Sequence, residues 1–175
     1  VLDCHLSALS NAEITFQKIC NISFRNGSIT EKLGNLAILI KDGFHNVPPR
    51  SDEGYPVIGA GDIDGHHITI QQDCRRCSVA DFEAYHKSNK PEEGDLLLGI
   101  VASIGNPTIL TKNVGEIALQ RSVAYIRIPD EEIKQLVRYY FFSDYGRREL
   151  LSYRKQTAQA GVYLVDLAKV AINLP

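Results

Sequence analysis

The stretch that most limits the fold is Gly94 to Ile128, GDLLLGIVASIGNPTILTKNVGEIALQRSVAYIRI. A Gly-Asp turn follows Pro91-Glu92-Glu93, and an unbroken apolar run then extends from Leu96 to Ala102. An aliphatic run of this length, bounded by turn residues, predicts a buried strand rather than a helix. Ser103-Ile104-Gly105-Asn106-Pro107 breaks it, and Thr108 to Thr111 predicts a second strand. After the turn at Asn113-Val114-Gly115, a third strand is expected over Ser122 to Ile128, with Val123, Tyr125 and Arg127 on one face. Polar residues at the strand ends, Ser103, Asn106, Gln120 and Arg121, would be displayed by a rigid sheet, and loops on such scaffolds commonly carry function.

The flanking chain predicts helices and loops around that sheet. Asn11 is expected to cap a short helix burying Ile14, Phe16 and Ile19, and Asn26-Gly27 marks a turn. LGNLAILI begins the fold proper, followed by the loop Lys41-Asp42-Gly43-Phe44-His45-Asn46-Val47-Pro48-Pro49-Arg50. Pro48-Pro49 forces extended backbone there, which restricts where Lys41, His45, Asn46 and Arg50 project. Tyr55 to Ala60 reads as a short strand, and His66 to Gln72 as a strand pairing back. Ser78 caps a helix reaching to about His86. Pro129-Asp130-Glu131-Glu132 opens another, whose Ile133, Leu136, Val137, Tyr140 and Phe141 recur at helical spacing. Between Lys134 and Lys155, six basic residues meet only Asp144 and Glu149. Leu164, Leu167 and Val170 suggest a last short helix or turn, and 171–175 an extended exit.

Composition excludes more than it selects. The length of 175 residues suits one domain, and 44% hydrophobic residues is ordinary for a globular one. No stretch is long enough to span a bilayer, and no secretory-type leader opens the chain. The chain starts at Val1 and has no methionine, so a segment of a longer polypeptide, or one that lost its initiator, is expected. A net charge of −2 gives no global sign of a nucleic-acid partner, which leaves local patches to carry any such reading. Phosphate loops, GxSxG, HExxH and DPPY-like tetrapeptides do not occur, and no nucleophile is paired with a base at a telling spacing. Asp62 and Asp64 between glycines resemble half a calcium loop, without its closing glutamate.

Cys74-Arg75-Arg76-Cys77, with His66 and His67 upstream, raises a zinc site, since thiolate and imidazole suit tetrahedral zinc. A single CxxC supplies only two of four ligands. Reduced, unbonded thiols in an ordinary loop are the preferred reading, ahead of zinc and of a redox pair. The expectation is no metal and no cofactor.

In the order of its elements the chain resembles the target recognition domain of type I restriction-modification specificity subunits, or the related C-terminal domain of fused restriction-methylation enzymes. The matching pieces are KLGNLAILIKDGFHNVPPR, GYPVIGAGDIDGHHI, SVADFEAYHKSNKPEEGDLLLGIVASIGN, LQRSVAYIRI, VRYYFFSD and TAQAGVYLVDLAKVAINLP. They span residues 31 to 175, leaving 1–30 as a lead-in or linker segment. The sequence departs from the family where Leu98-Gly99-Ile100-Val101 replaces an Arg and a Thr or Ser, and the long spacer helix that normally follows INLP in the family is absent from this sequence, which stops at Pro175.

The resemblance implies an α/β (α+β) fold, with a mixed, largely antiparallel twisted sheet and flanking helices. It implies a cytoplasmic prokaryotic protein that binds double-stranded DNA. The domain itself would be non-catalytic, and DNA methyltransferase and restriction subunits or domains would do the chemistry. On that reading Lys41, Arg50, Arg154 and Lys155 are candidates to grip phosphates. His45, Asn46, Ser103, Asn106, Gln120, Arg121 and Gln156 are candidates to read base edges. For Gln120 a buried hydrogen bond that fixes its loop competes with a base contact. The alternatives are a protein-interaction or regulatory domain of the same fold that binds no DNA, and a small zinc-binding module.

Overall fold

The structure, a computed structural model, describes residues 15–46, 48–87, 90–155 and 160–175. At its centre is a four-stranded antiparallel sheet in the order β2-β8-β5-β6, formed by Leu39–Asp42, Val123–Arg127, Leu96–Gly99 and Gly105–Ile109. A second sheet has the order β4-β3-β7, from Arg76–Cys77, Tyr55–Ile58 and Ala118–Leu119, with β3 antiparallel to β4 and parallel to β7. β1 (Ile29–Lys32) pairs antiparallel with β9 (Ala171–Leu174) along all four residues. The mixed, mainly antiparallel α+β architecture is thus distributed over three sheets.

The inner strands β5 and β8 are buried on both faces, which is why their sequences, LLLG and VAYI, are continuously apolar rather than alternating. Leu96, Leu98, Ala124 and Ile126 pack on one side with Val137, Tyr140 and Phe141 of α4 (Glu131–Phe142) and Leu150 of α5 (Asp144–Ser152). Leu97, Val123 and Tyr125 pack on the other with Ile58, Ile63, Ile117 and Leu119. A partly buried ion pair locks the end of this layer. Arg127 donates through Nε and one terminal nitrogen to the two Asp95 oxygens, each at 2.9 Å, and lies 3.1 Å from Glu92. The expected shared face of Val123, Tyr125 and Arg127 therefore ends in a charge rather than in core.

Both main helices begin where side chains satisfy otherwise orphaned amides. Asp130 accepts from Ile133 N at 3.0 Å to start α4, and Ser143 accepts from Gly146 N at 3.1 Å to start α5. The α5 helix was not expected. Its Gly146 is required because a Cβ there would lie 2.0 Å from Tyr140 O. Ser78 caps α3 (Val79–Tyr85) through Asp81 N, as the sequence predicts. α2 (Leu33–Leu36) and α6 (Leu164–Leu167) are single turns.

Several boundaries differ from expectation. The apolar run leaves the sheet at Gly99, because Gly99 pairs with Gly105 across an irregular register and the chain turns back through Ala102 at φ 62°. The next strand begins at Gly105 rather than Thr108. It contains Pro107, tolerated because β6 is a sheet edge where no donor is missed. His66 to Gln72 forms no strand, only an isolated bridge between Ile63 and Ile68. The Asp64 carboxylate accepts the amides of His66 and His67 at 2.7 and 2.6 Å, and this local turn competes with a ladder. Near the start of the described chain, residues 15–25 are helical (α1), but Cys20 and Phe24 are the buried positions. Phe16 sits at the margin against the Tyr139 ring and Ile19 is exposed, while Asn11 and Ile14 lie outside the described residues.

Candidate nucleic-acid interface

The rim of the molecule is built where β2, β5 and β7 end together. Beyond β2 the chain runs against the end of β7: Phe44 N donates to Leu119 O at 2.7 Å and Arg121 N to Phe44 O at 3.1 Å. The approach is so close that a Cβ at Gly43 would lie 1.9 Å from Leu119 O, so only glycine fits. Phe44 anchors the crossing, its ring centroid 4.0 Å from that of Tyr85. His45 is thereby held beside Gln120 and Arg121, although 75 positions separate His45 from Gln120 in sequence.

A third segment joins them. Val162 N donates to Ile100 O at 2.9 Å, and Gly161 bridges Val101. Lys155 and Gly161 exchange backbone hydrogen bonds. Gln156 lies outside the described residues.

Two adjoining cavities result. One, of about 690 Å3, is lined by His45, Gly59, Asp62, Ala102, Gln120 and Arg121. The other, of about 720 Å3, is lined by Asp42, Val101, Val162, Tyr163 and Val165, and it shares His45 and Arg121 with the first. The structure thus gathers His45, Gln120 and Arg121, and sets exposed Ser103 next to Ala102.

The gathered residues differ in how free they are. His45 Nε2 lies 3.2 Å from the mostly buried Asp42 carboxylate. Gln120 is half-buried, its amide packed over Gly59, where a Cβ would come within 3.1 Å of Oε1. The Arg121 guanidinium is exposed, and no hydrogen bond or ion pair holds it among the described residues.

Other candidates are committed elsewhere. Asn106, at φ 56°, donates its amide to Ile63 O at 3.1 Å and so ties β6 to the preceding loop. Arg50 donates to Asp73 O at 3.2 Å, away from both cavities. Lys155 pairs with Asp166 at 2.8 Å and lies 5.2 Å above the Tyr163 ring. Hydrogen bonding to Asp166 raises the Lys155 pKa, and Lys155 and Lys169 hold the Asp166 carboxyl below its ordinary range. Arg154, Lys41 and Asn46 are exposed.

Sequence reasoning missed two contributors. The exposed apolar pair Tyr163 and Val165 faces one cavity, and nothing in their local pattern marks them. Arg147 lies beside the β5–β6 turn, its Nε 3.8 Å from where a Gly105 Cβ would sit. Its place in the chain's most basic stretch was the available signal.

The cysteine and histidine motif is dispersed. Cys77 is fully buried near Tyr55 and Phe82, and burial pushes its thiol pKa up, away from the thiolate that metal or redox chemistry needs. His66 instead meets the Phe142 ring at 5.0 Å, and no group of three potential metal ligands occurs among the described residues. Cys20 and Cys74 are free thiols, and Cys4 lies outside the described residues. Among the described residues no helix is long and apolar enough to cross a membrane.

A sheet packed on both faces gathers three chain segments at one rim, where the Arg121 guanidinium has no partner among the described residues. The chain belongs to the type I restriction modification DNA specificity domain family, whose profile matches residues 23–175. The fold is similar to that of the HsdS subunit from Thermoanaerobacter tengcongensis, with TM-score 0.60 and 22% identity over 100% of this chain and 42% of that one. A chain solved in work on complex assembly and conformational transition of the type I R-M system gives TM-score 0.56 and 20% identity, over 99% of this chain and 44% of that one. The type I S subunit from M. genitalium gives TM-score 0.54 and 14% identity, over 84% and 34%. The chain therefore spans less than half the length of these relatives. No curated protein sequence matches it.

Proposed function

We propose that this domain reads part of a duplex DNA target for a type I restriction-modification assembly, without catalysing a reaction itself. The observation that carries the reading is the convergence of His45, Gln120 and Arg121 on one rim of a chain in the DNA specificity family. Arg and Gln side chains held by strand ends match the donor and acceptor edges of bases in the major groove. Arg147, Arg154 and Lys41 are exposed cations suited to phosphate oxygens, which fix position without reading sequence. Lys155 joins them only by giving up part of its pairing with Asp166.

Residues 31–175 form the recognition unit on this reading, and the chain up to residue 30 leads into it. DNA methyltransferase and restriction subunits or domains supply methyl transfer and cleavage, in a prokaryotic cytoplasm. The domain needs no cofactor of its own.

The test uses the native assembly containing this chain. Binding to a duplex bearing its methylation site, against a scrambled duplex at several salt concentrations, is expected to show sequence preference superimposed on salt-dependent affinity. Equal binding to both duplexes would refute the reading.

A further inference from the structure

The larger cavity carries an unusual combination for a rim that faces a polyanion. Tyr163 is 52% exposed and Val165 70% exposed, and with Val101 and Val162 they make an apolar wall. Val162 belongs to the core and Val101 packs against it, but the core does not require the exposed Tyr163 and Val165. α6 turns Leu167 inward, fully buried, and leaves Val165 outside.

At the edge of the wall stands the Arg121 fork. Its backbone is fixed by the hydrogen bond to Phe44 O at 3.1 Å, and its side chain has no partner among the described residues. At the other edge is Asp42, mostly buried and hydrogen-bonded to His45. A carboxylate there repels phosphates, so the cavity suits the base edges and leaves the backbone to the cations outside it.

Resting on the DNA-reading function above, we infer that this cavity recognises a guanine–thymine step. Arg121 reads the guanine, and the wall of Val101, Val162, Tyr163 and Val165 receives the C5-methyl of the adjacent thymine. Guanine offers two acceptors, O6 and N7, to a bidentate arginine, and the thymine methyl is the one apolar group on the major-groove edge. A cavity of about 720 Å3 admits the edge of a base pair, not only a methyl. The wall is held in place because Gly161 packs directly on Val101; a Cβ there would meet Val101 Cγ2 at 2.8 Å.

The experiment selects duplexes from a random library with the native assembly, then repeats the selection with thymine replaced throughout by deoxyuridine. The selected motif is expected to contain a guanine next to a thymine. Uracil at that thymine should weaken binding roughly fourfold, the worth of one buried methyl-sized group. Arg121→Ala should erase the guanine preference at that position and leave the other positions unchanged. Val165→Ser, an exposed change that leaves the core intact, should shrink the uracil effect.

A motif whose guanine depends on Arg121 but which tolerates uracil at both neighbours would overturn the thymine assignment and leave DNA reading in place. A motif unchanged by Arg121→Ala would overturn the whole site assignment. Failure to enrich any sequence would bring down the DNA reading on which the inference rests.

Discussion

On one face of the central sheet, Leu96, Leu98, Ala124 and Ile126 meet the apolar stripes of α1, α4 and α5, each a continuous segment of chain. On the other face, Leu97, Val123 and Tyr125 meet the short strands β3 and β7, a single turn and loop residues drawn from positions 58 to 119. The helical face is sealed by side-chain packing within elements that begin at their own caps, Asp130 and Ser143. The opposite face is sealed by hydrogen bonds between distant segments, such as Phe44 N to Leu119 O and the Asn106 side-chain amide to Ile63 O. Elements so short cannot bury much apolar surface of their own, so their ends remain as loops, and the candidate interface lies there. The helices thus pack on one face, whereas the candidate rim joins loops of the other face to Ile100 and Val162 of the helical cluster.

The contrast can be broken most severely from the helical side. Leu98→Ala removes a fully buried side chain and is expected to cost roughly 2–5 kcal/mol in denaturant unfolding. A loss within ordinary surface scatter would show that the helical face does not carry the stability.

Gly43→Ala tests the opposite face. It sets a Cβ 1.9 Å from the Leu119 carbonyl oxygen, backbone against backbone, and is expected to cost about 3 kcal/mol, at the upper end of overpacking effects. It should also scramble the rim, so that sequence preference falls more than Leu98→Ala lowers it at matched folded fraction. Preserved preference would mean that the Phe44 crossing does not position the site.

Arg121→Ala leaves both faces intact. It is expected to cost roughly 1–3 kcal/mol on the native target, with little change on random DNA and no change in unfolding midpoint. Arg154→Ala should act differently, weakening all duplexes alike and reducing the salt slope by roughly one unit. Parallel titrations over salt distinguish the two, and identical behaviour of both variants would erase the division between reading and grip.

The smallest effect concerns Asp64. The His67 and His66 amides hold its carboxyl below the ordinary aspartate range. Because the folded pKa is depressed, its contribution is present above the unfolded value and is lost as pH falls through the folded one. Asp64 is exposed, so the change is slight. Comparing Asp64→Asn with the parent from about pH 5 to pH 3 should give a shallower acid decline for the variant.

The chain's own pattern determined the central strands, the α3 helix with its Ser78 cap, the α4 helix, the extended exit and the order of elements that marks the family. These follow from interactions over a few residues: apolar runs, capping side chains, and proline or glycine at boundaries. Local pattern also misled where two local preferences competed, as at His66 to Gln72, where the Asp64 turn prevailed over apolar alternation. It overran the first strand because Ile100 to Ala102 is as apolar as Leu96 to Leu98, and only the pairing of Gly99 with Gly105 ends the ladder.

The site was legible as a set of residue types and not as an arrangement. That Gln120 and Arg121 stand beside His45, that Asn106 faces Ile63, and that Lys155 is held by Asp166 are facts of long-range contact. So is the exposure of Tyr163 and Val165, whose neighbours Val162 and Leu167 are equally apolar but buried. Which of two similar side chains turns inward depends on what the rest of the chain brings against it. Only the tertiary structure brings the Gly161 bridge to Val101 and leaves Val165 at the rim.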